Sequence, residues 1–195
     1  MDDLFLAQAE NISTLEEWRE VCLNCRRCPL REGARVVVFG EGSPDAKIIF
    51  IGEGPGAEED KLGRPFVGKA GELLDRILGA AGWNREMVYI ANIVKCRPSG
   101  NRNPLQEEIE VCYPLLEKQI ELINPAIMVT LGAVATKVFL GPNILITKER
   151  GKWHKIGSRM LMPTFHPAAL LRDPRKKLPV WEDIQQVMRM YEEMT

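Results

Sequence analysis

Residues 47–71, KIIFIGEGPGAEEDKLGRPFVGKAG, constrain the fold of this chain more than any other stretch. The apolar run at residues 48–51 is typical of a strand buried on both faces, and it passes directly into a turn with three glycines. The turn matches neither the GxxxxGK(S/T) nor the GxGxxG pattern of phosphate-binding loops. Because backbone N–H groups in such a turn can approach a ligand closely, the loop is either a structural turn or a binding site at the sheet edge.

Apolar strand patterns alternate with helical patterns along the rest of the chain. Strands separated by helices require parallel crossovers and a sheet covered on both faces. The sequence therefore predicts one α/β domain over residues 1–195, a three-layer α/β/α sandwich with a mainly parallel central sheet. Within helices, Ser13 and Glu16 match a capping box, and Pro114 predicts a kink or break. The predicted strands are residues 48–51, 88–91, 126–131 and 160–163, with an extended segment at 35–39, and the predicted helices are residues 13–22, 71–81, 105–123, 133–139 and 180–193.

The composition excludes several classes of protein. With 195 residues, 45% of them hydrophobic and 27% charged, the chain has the composition of a soluble globular protein. It contains neither an apolar run near ~18 residues nor a signal-peptide pattern, so we expect a cytoplasmic protein without a membrane partner. The net charge of −1 offers no general attraction for a polyanion, so nucleic-acid binding would depend on local basic patches. Each patch, at residues 95–102, 148–155 and 172–177, could equally be a solvated face.

Five cysteines in a chain with this expected location favour a metal site or catalysis over disulfides. Cys25 and Cys28 form a CxxC motif, and Cys96 and Cys112 form a second pair with fifteen residues between them. Cys22 extends the first motif to CxxCxxC. Four thiolates can hold either zinc or an iron–sulfur cluster. Alternatively, Cys112 is a small buried side chain on a helix.

Polar features follow three of the predicted strands: residues 52–54, Asn92 and His166. The C-terminal ends of parallel strands meet along one edge, so these features can converge. The Asn92 amide offers one acceptor and one donor, a pair able to read N3–H and O4 of uracil, whereas cytosine presents the reverse. Phe66, in a loop flanked by glycines, can stack on a base. The structural alternatives are a turn residue for Asn92, a helix-entry residue for His166 and a core cover for Phe66.

These motifs carry a family resemblance. GEGPGAEED, GRPFVGKAG, NIVKCRP and HPAALLR, together with the cysteine spacing, resemble the family 4 uracil-DNA glycosylases, the iron–sulfur type found in thermophiles and many bacteria. The resemblance extends from about Cys25 to Arg172. It implies the uracil-DNA glycosylase fold and a DNA-repair enzyme that flips deoxyuridine out of DNA and hydrolyses its N-glycosidic bond, releasing uracil and leaving an abasic site.

The resemblance also implies roles for individual residues. Phe66 would be the stacking ring, Asn92 the base reader, His166 the group at uracil O2, and Glu59 the residue near C5 that excludes thymine. The implied catalytic residues are His166 and Glu53. The implied ligands of a [4Fe–4S] cluster are Cys25, Cys28, Cys96 and Cys112, with Cys22 outside the set. The implied uracil pocket consists of Gly52, Glu53, Gly54, Glu59, Phe66, Asn92 and His166.

One departure from the better-known uracil-DNA glycosylases concerns mechanism. Those enzymes carry a water-positioning Asp where this chain has Gly54, and a glycine cannot act as a base. Because uracil leaves as an anion from an oxocarbenium-like sugar, the reaction chiefly requires charge stabilisation. His166 and the glycine-rich N–H groups can stabilise O2, while DNA phosphates and Glu53 can stabilise the sugar. The group that activates water is left open.

Uracil-containing DNA is the expected partner of a monomeric protein, and the sequence leaves a sliding clamp open as a further partner. One leucine, Leu170 or Leu171, is expected to fill the gap that the flipped nucleotide leaves, and we choose Leu170. The residues expected to contact DNA are Lys95, Arg97, Arg102, Leu170 and Arg172.

Two other functions compete with catalysis. One is a non-catalytic module that binds uracil or damaged DNA and has a structural metal centre, and the other is a zinc-stabilised interaction domain. A related group that traps uracil-DNA covalently carries a basic insertion after the second motif. Here GRPFVGKAGELL continues directly into a helix, which favours turnover.

Overall fold

The computed structural model of the chain describes residues 11–194 and has a six-stranded sheet at its centre. The strands are β1 (Glu41–Gly42), β2 (Ile48–Gly52), β3 (Tyr89–Asn92), β4 (Ile127–Leu131), β5 (His154–Ile156) and β6 (Arg159–Thr164). Their order is β1-β3-β2-β4-β6-β5. The inner strands β3, β2, β4 and β6 are parallel, and the edge strands β1 and β5 pair antiparallel to their neighbours.

Helices cover both faces of the sheet. They are α1 (Leu15–Leu23), α2 (Leu30–Gly33), α3 (Ala57–Leu62), α4 (Lys69–Ala80), α5 (Gln106–Ile123), α6 (Ala133–Leu140), α7 (Ile146–Glu149), α8 (Pro167–Arg172) and α9 (Lys177–Met194). Short 3₁₀ turns occupy Ser99–Asn101 and Pro174–Lys176.

Alternate side chains of β2 enter two separate hydrophobic clusters. Ile49 and Ile51 join the cluster that includes α1 and α5, whereas Ile48 and Phe50 join the cluster that includes α4 and α9. This alternation is what a strand buried on both faces requires. It confirms the predicted three-layer α/β/α sandwich. Among residues 11–194, no helix combines the length and the apolar character needed to cross a membrane.

Two helix details differ from the prediction. The capping box of α1 is one residue later than expected: Thr14 Oγ1 accepts from Glu17 N–H at 3.3 Å, and Glu17 Oε2 accepts from Thr14 N–H at 3.1 Å. Pro114 lies inside α5 without ending it. Side chains from the N-terminal segment bond the helix around this proline, because Trp18 Nε1 donates to Leu115 O and Arg27 Nη1 donates to Val111 O, both at 3.0 Å.

The strands β1 and β5 are absent from the prediction. Residues 35–39, predicted as a short extended segment, form none of the six strands. β1 and β5 are only two and three residues long, too short for an alternating pattern to emerge. Residues 35–39 instead contribute a backbone bond from Val38 N–H to Lys95 O at 2.8 Å.

The register of the parallel strands sets the position of the loops that follow them. Gly52 at the end of β2 pairs with Asn92 at the end of β3, and Leu131 of β4 pairs with Thr164 of β6. The loops after all four parallel strands therefore leave the sheet along one edge.

Candidate functional site

A cavity of about 690 Å³ opens at this edge of the sheet. Its walls come from the loops that follow the four parallel strands, together with the start of α8 and the 3₁₀ turn before α9. The lining residues that matter for its chemistry are Glu53, Gly54, Glu59, Phe66, Asn92, Arg102, Gly132, Phe165, His166, Arg172 and Lys176.

Asn92 lines this cavity and carries an unpaired side-chain acceptor. The residue is 2% exposed, and its side-chain Oδ1 is buried without a hydrogen-bond partner among the residues that the structure describes. Leaving such a group unpaired costs about 1 to 3 kcal/mol, so a ligand that donates a hydrogen bond here gains correspondingly. A Cβ at Gly52 would lie 2.4 Å from this oxygen and 2.5 Å from Phe66 Cζ. Any residue other than glycine at position 52 would therefore displace Asn92 or Phe66.

Phe66 and His166 form a stacked pair on the cavity wall. Their ring centroids are 5.5 Å apart with an angle of 28° between the planes. Phe66 is 5% exposed, and its backbone lies in the left-handed region with φ of 52°, which is rare for an aromatic residue. Gly132, with φ of 93°, permits the close approach of His166, because a Cβ there would lie 3.0 Å from His166 Cβ.

His166 is a helix cap and a site residue at once. Its Nδ1 accepts from Ala168 N–H at 3.1 Å and so caps α8, as the helix-entry alternative anticipated. Burial, and next the positive charge of Arg172, lower the pKa of His166 to about 4. The ring is therefore neutral at physiological pH. With Nδ1 accepting, the proton lies on Nε2, which makes Nε2–H the donor of the ring.

Glu53 and Gly54 occupy the loop directly after β2. Burial raises the pKa of the Glu53 carboxyl above its usual value. A Cβ at Gly54 would lie 2.7 Å from Val94 Cγ2, so an aspartate could not replace Gly54 unless Val94 moved. The departure at Gly54 is thus part of the packing of this loop.

Glu59 lines the cavity, but its carboxylate is occupied by backbone donors. Oε1 accepts from Val67 N–H at 2.8 Å and from Gly68 N–H at 2.9 Å, and Oε2 accepts from Gly56 N–H at 3.1 Å. Glu59 therefore joins the glycine turn after β2 to the loop that contains Phe66.

The basic residues expected at DNA divide into two groups. Arg102 and Arg172 line the mouth of the cavity, and Arg102 also makes two bonds to the Glu108 carboxylate at 2.8 and 2.6 Å. Arg97 does not line the cavity, and its Nε donates to Asn101 Oδ1 at 2.8 Å.

Contrary to the prediction, Lys95 is not at the surface. It is 1% exposed, and its Nζ donates to the backbone carbonyl of Asn92 at 3.0 Å. Burial lowers the pKa of Lys95 to about 8. The side chain folds back to stabilise the turn that follows β3, so it cannot contact a phosphate in this conformation.

Leu170 also differs from its predicted position. It is 1% exposed within the hydrophobic cluster of α4 and α9, whereas Leu171 is 45% exposed. Adjacent residues of a helix point in different directions, and the inner face of α8 happens to hold Leu170. Leu171 is therefore the exposed leucine of the pair.

The cysteines of two distant segments are neighbours in the structure. All five are free thiols. Cys22 is fully buried in the hydrophobic cluster that includes α1 and α5, and the other four cysteines belong to this cluster or pack against it. Burial, and next the charges of neighbouring thiols that include Cys112, Cys28 and Cys25, raise the pKa of Cys96 to about 12. Within residues 11–194, no three His, Cys, Asp or Glu side chains are grouped as ligands of one metal ion.

Sequence reasoning missed several residues of the cavity. Gly132 directly follows β4, and Asn92 is the last residue of β3, so the same expectation that strand ends converge could have found Gly132. Phe165 and Lys176 face each other, with Nζ 5.5 Å from the ring centroid, and this contact has no local signal in the sequence.

Comparisons with known proteins agree with this geometry. The family model described as the uracil DNA glycosylase superfamily matches residues 39–185. A type-4 uracil-DNA glycosylase of Thermotoga maritima is 50% identical over 167 residues, which cover 83% of this chain and 86% of that protein. A type-4 uracil-DNA glycosylase of Sulfurisphaera tokodaii is 43% identical over 188 residues, which cover 92% of this chain and 86% of the relative. A type-5 uracil-DNA glycosylase of Thermus thermophilus is 32% identical over 143 residues, which cover 65% of this chain and 64% of the relative. The chain therefore belongs to the uracil-DNA glycosylase superfamily and, within it, to the type-4 uracil-DNA glycosylases.

Proposed function

We propose that this protein removes uracil from DNA by hydrolysing the N-glycosidic bond of a flipped deoxyuridine, releasing uracil and leaving an abasic site. The observation that carries the proposal is the buried, unpaired Oδ1 of Asn92 at a cavity on the strand-end edge. Uracil supplies the missing donor through N3–H, and Asn92 Nδ2 can donate to the adjacent O4. Cytosine has an acceptor at N3 and a donor at C4, so it would leave both groups unsatisfied.

The pocket for the base is built around Asn92. Gly52 leaves space beside the amide, and the ring of Phe66 provides an apolar wall on which the flipped base can stack. Glu59 is proposed to border uracil C5 and to exclude the methyl group of thymine. Since its carboxylate oxygens are bonded to backbone N–H groups, the contact with C5 would come from its aliphatic stem.

His166 is proposed to stabilise the leaving uracil anion at O2. A hydrogen bond from neutral Nε2–H strengthens as charge develops on O2, and the lowered pKa of His166 keeps the ring neutral. An imidazolium would have to be desolvated beside Arg172, which lines the same cavity.

Glu53 is proposed to stabilise the positive charge on deoxyribose. Its carboxyl lines the cavity in a partly desolvated setting, where a carboxylate acts on a nearby cation more strongly than in water. Gly54 has no side chain with which to position water, so the activating group stays open.

DNA contact is proposed at the rim of the cavity. Arg102 and Arg172, which line the cavity, would contact phosphates near the flipped nucleotide. The exposed Leu171 would fill the gap in the stack. Flipping costs a few kcal/mol, which these contacts must offset.

A [4Fe–4S] cluster held by Cys25, Cys28, Cys96 and Cys112 is proposed as a structural element. The four side chains are free thiols that interact electrostatically with one another, and thiolates are the ligands that such a cluster takes, although in this conformation they are not grouped around one metal ion. When bound, the cluster would cross-link the segment after α1 to the loop after β3 and to α5. Analysis of iron and sulfide, together with a visible absorption spectrum, distinguishes an iron–sulfur cluster from a zinc ion, because zinc is colourless.

The decisive experiment incubates the protein with an oligonucleotide containing one uracil, followed by alkaline cleavage of the abasic site. Matched oligonucleotides with thymine or cytosine at the same position serve as controls. Cleavage at uracil alone supports the proposal. Binding of the uracil strand without cleavage would favour the non-catalytic module instead. The monomeric state, the cytoplasmic location and a sliding-clamp partner remain predictions.

A further inference from the structure

Arg85 lies outside the cavity lining, yet it is bonded to the backbone on both sides of the Phe66 peptide. It belongs to the turn before β3, and its side chain is 17% exposed. Nη1 donates to Pro65 O at 2.9 Å, and Nη2 donates to Phe66 O. On its other side, Nε bonds Asp75 Oδ1 at 2.7 Å and Nη1 lies 3.3 Å from Glu41 Oε1.

The loop of residues 65–68, termed the Phe66 loop, needs such support. Phe66 has φ of 52°, a backbone region that side chains with a Cβ disfavour. The carbonyl of Phe66 also abuts α4, where a Cβ at Gly71 would lie 1.7 Å from it. A loop with an aromatic residue in this conformation persists only when its surroundings hold it.

Two side chains of opposite charge bind successive backbone groups of the Phe66 loop. The Arg85 guanidinium binds the carbonyls of Pro65 and Phe66, and the Glu59 carboxylate binds the N–H groups of Val67 and Gly68. Hydrogen bonds to charged groups are stronger than neutral ones, and the planar fork of an arginine can serve two carbonyls and two carboxylates together.

We propose that Arg85 is a positioning residue for uracil recognition, an inference that rests on the proposed function. By fixing the peptide of Phe66, it sets the ring 5.5 Å from His166 and against Gly52, beside the Asn92 amide. Loss of the guanidinium would let the loop relax and the ring leave this position. The pocket for the base would then lose its wall, although Arg85 itself touches no substrate.

Arg64 provides a matched control. It also bonds Glu41, with Nε to Oε2 at 2.6 Å and Nη2 to Oε1 at 2.8 Å, but its side chain is 59% exposed and its hydrogen bonds in the described chain go to that carboxylate. Arg64→Gln therefore removes a charge from the same network and leaves the bonds of Arg85 to the Phe66 loop intact.

The test compares Arg85→Gln, Arg85→Lys and Arg64→Gln with the wild-type protein in four measurements. These are the single-turnover rate on a uracil oligonucleotide, inhibition by free uracil, affinity for abasic-site DNA, and hydrogen exchange of the amides of residues 66–68. Arg85→Gln should lower the excision rate and weaken uracil inhibition by about 10- to 100-fold and speed amide exchange by about 10-fold. Abasic-site affinity should stay within about 2-fold, Arg85→Lys should be intermediate, and Arg64→Gln should match the wild type.

The outcomes separate the inference from the function on which it rests. If the wild type releases no uracil, the proposed function fails, and amide exchange still reports whether Arg85 holds the loop. If the wild type is active but Arg85→Gln keeps its rate and uracil inhibition within about 3-fold, the inference is overturned. An equal loss of abasic-site affinity would also overturn it, because that pattern indicates general unfolding. If Arg85→Gln does not fold, Arg85→Lys decides by the same criteria.

Discussion

At the scale of single residues, the proposed recognition of uracil depends on the side-chain amide of Asn92. Asn92→Asp replaces the Nδ2 donor by an oxygen, so O4 of uracil would face a carboxylate. Excision of uracil should fall by about one to two decades, the effect of losing a hydrogen bond of about 1 to 3 kcal/mol in a dry pocket. A protonated carboxyl could serve the opposite pattern and admit cytosine. Single-turnover assays on uracil and cytosine oligonucleotides measure both effects, and a wild-type rate on uracil would remove Asn92 from base reading.

His166 requires a variant that separates its two roles. His166→Ala removes both the cap of α8 and the Nε2–H donor, whereas His166→Asn can still cap the helix through its side-chain oxygen. Both variants should lose about two to three decades of single-turnover rate while binding abasic-site DNA nearly as well as the wild type. Recovery of the wild-type rate in His166→Asn would assign His166 to capping alone.

The pH dependence follows from two shifted pKa values. His166 has a pKa of about 4 against an ordinary 6.5, so between these values the unfolded state binds a proton that the folded state does not. Stability should therefore fall as the pH drops through this window, while the neutral donor stays available above about pH 4.

Glu53 should instead set the acidic limb of activity. Because burial raises its pKa above 4.5, the excision rate should fall with a midpoint above that value as Glu53 becomes neutral. Glu53→Gln should be slower and should lack this limb. Rate profiles of the two proteins over the acidic range test the prediction, and a limb that persists unchanged in Glu53→Gln would contradict it.

At the scale of elements, the sequence predicts what long patterns encode. β2 is buried along its whole length and α4 carries leucines at helical spacing, so both emerge from periodicity within a few residues of their bounds. The edge strands β1 and β5 are too short to carry a pattern. The convergence of parallel strand ends correctly predicted that Glu53, Gly54, Asn92 and His166 line one cavity, whereas Gly52 lies outside its lining. The positions of Lys95 and Arg85 could not be predicted, because their backbone partners depend on how the chain folds back.

The two adjacent leucines of α8 allow a core role to be distinguished from a surface role. Leu170→Ala should destabilise the fold by about 2 to 5 kcal/mol, since it leaves a cavity in the core. Leu171→Ala should leave the melting temperature nearly unchanged and should slow excision from double-stranded more than from single-stranded DNA, because only a duplex has a stack to refill. Thermal melts and paired assays distinguish the two, and equal slowing on both substrates would exclude Leu171 from the gap.

At the scale of the whole molecule, the two hydrophobic clusters lie on opposite faces of the sheet. The cluster of α1 and α5 includes the cysteines, and that of α4 and α9 includes Phe66 and Leu170. The loop from Cys96 to the mouth residue Arg102 connects the cysteines to the cavity. We therefore expect loss of the proposed metal centre to weaken DNA binding at the proposed rim.

Cys96→Ala tests this connection, with Cys22→Ala as its control. Cys22 is buried in the same cluster but lies outside the proposed ligand set, so its loss should leave the iron content intact. Cys96→Ala should lose iron, melt at lower temperature and bind DNA more weakly, because the tie that closes the chain between Cys28 and Cys96 is gone and Arg102 is no longer fixed at the mouth. Iron analysis, thermal melting and binding to abasic-site DNA measure the three effects. Full iron loading with unchanged melting in Cys96→Ala would show that the proposed ligand set is wrong, and so would iron loss in Cys22→Ala. If Cys96→Ala loses iron but binds DNA as well as the wild type, the metal centre does not support the DNA-binding rim.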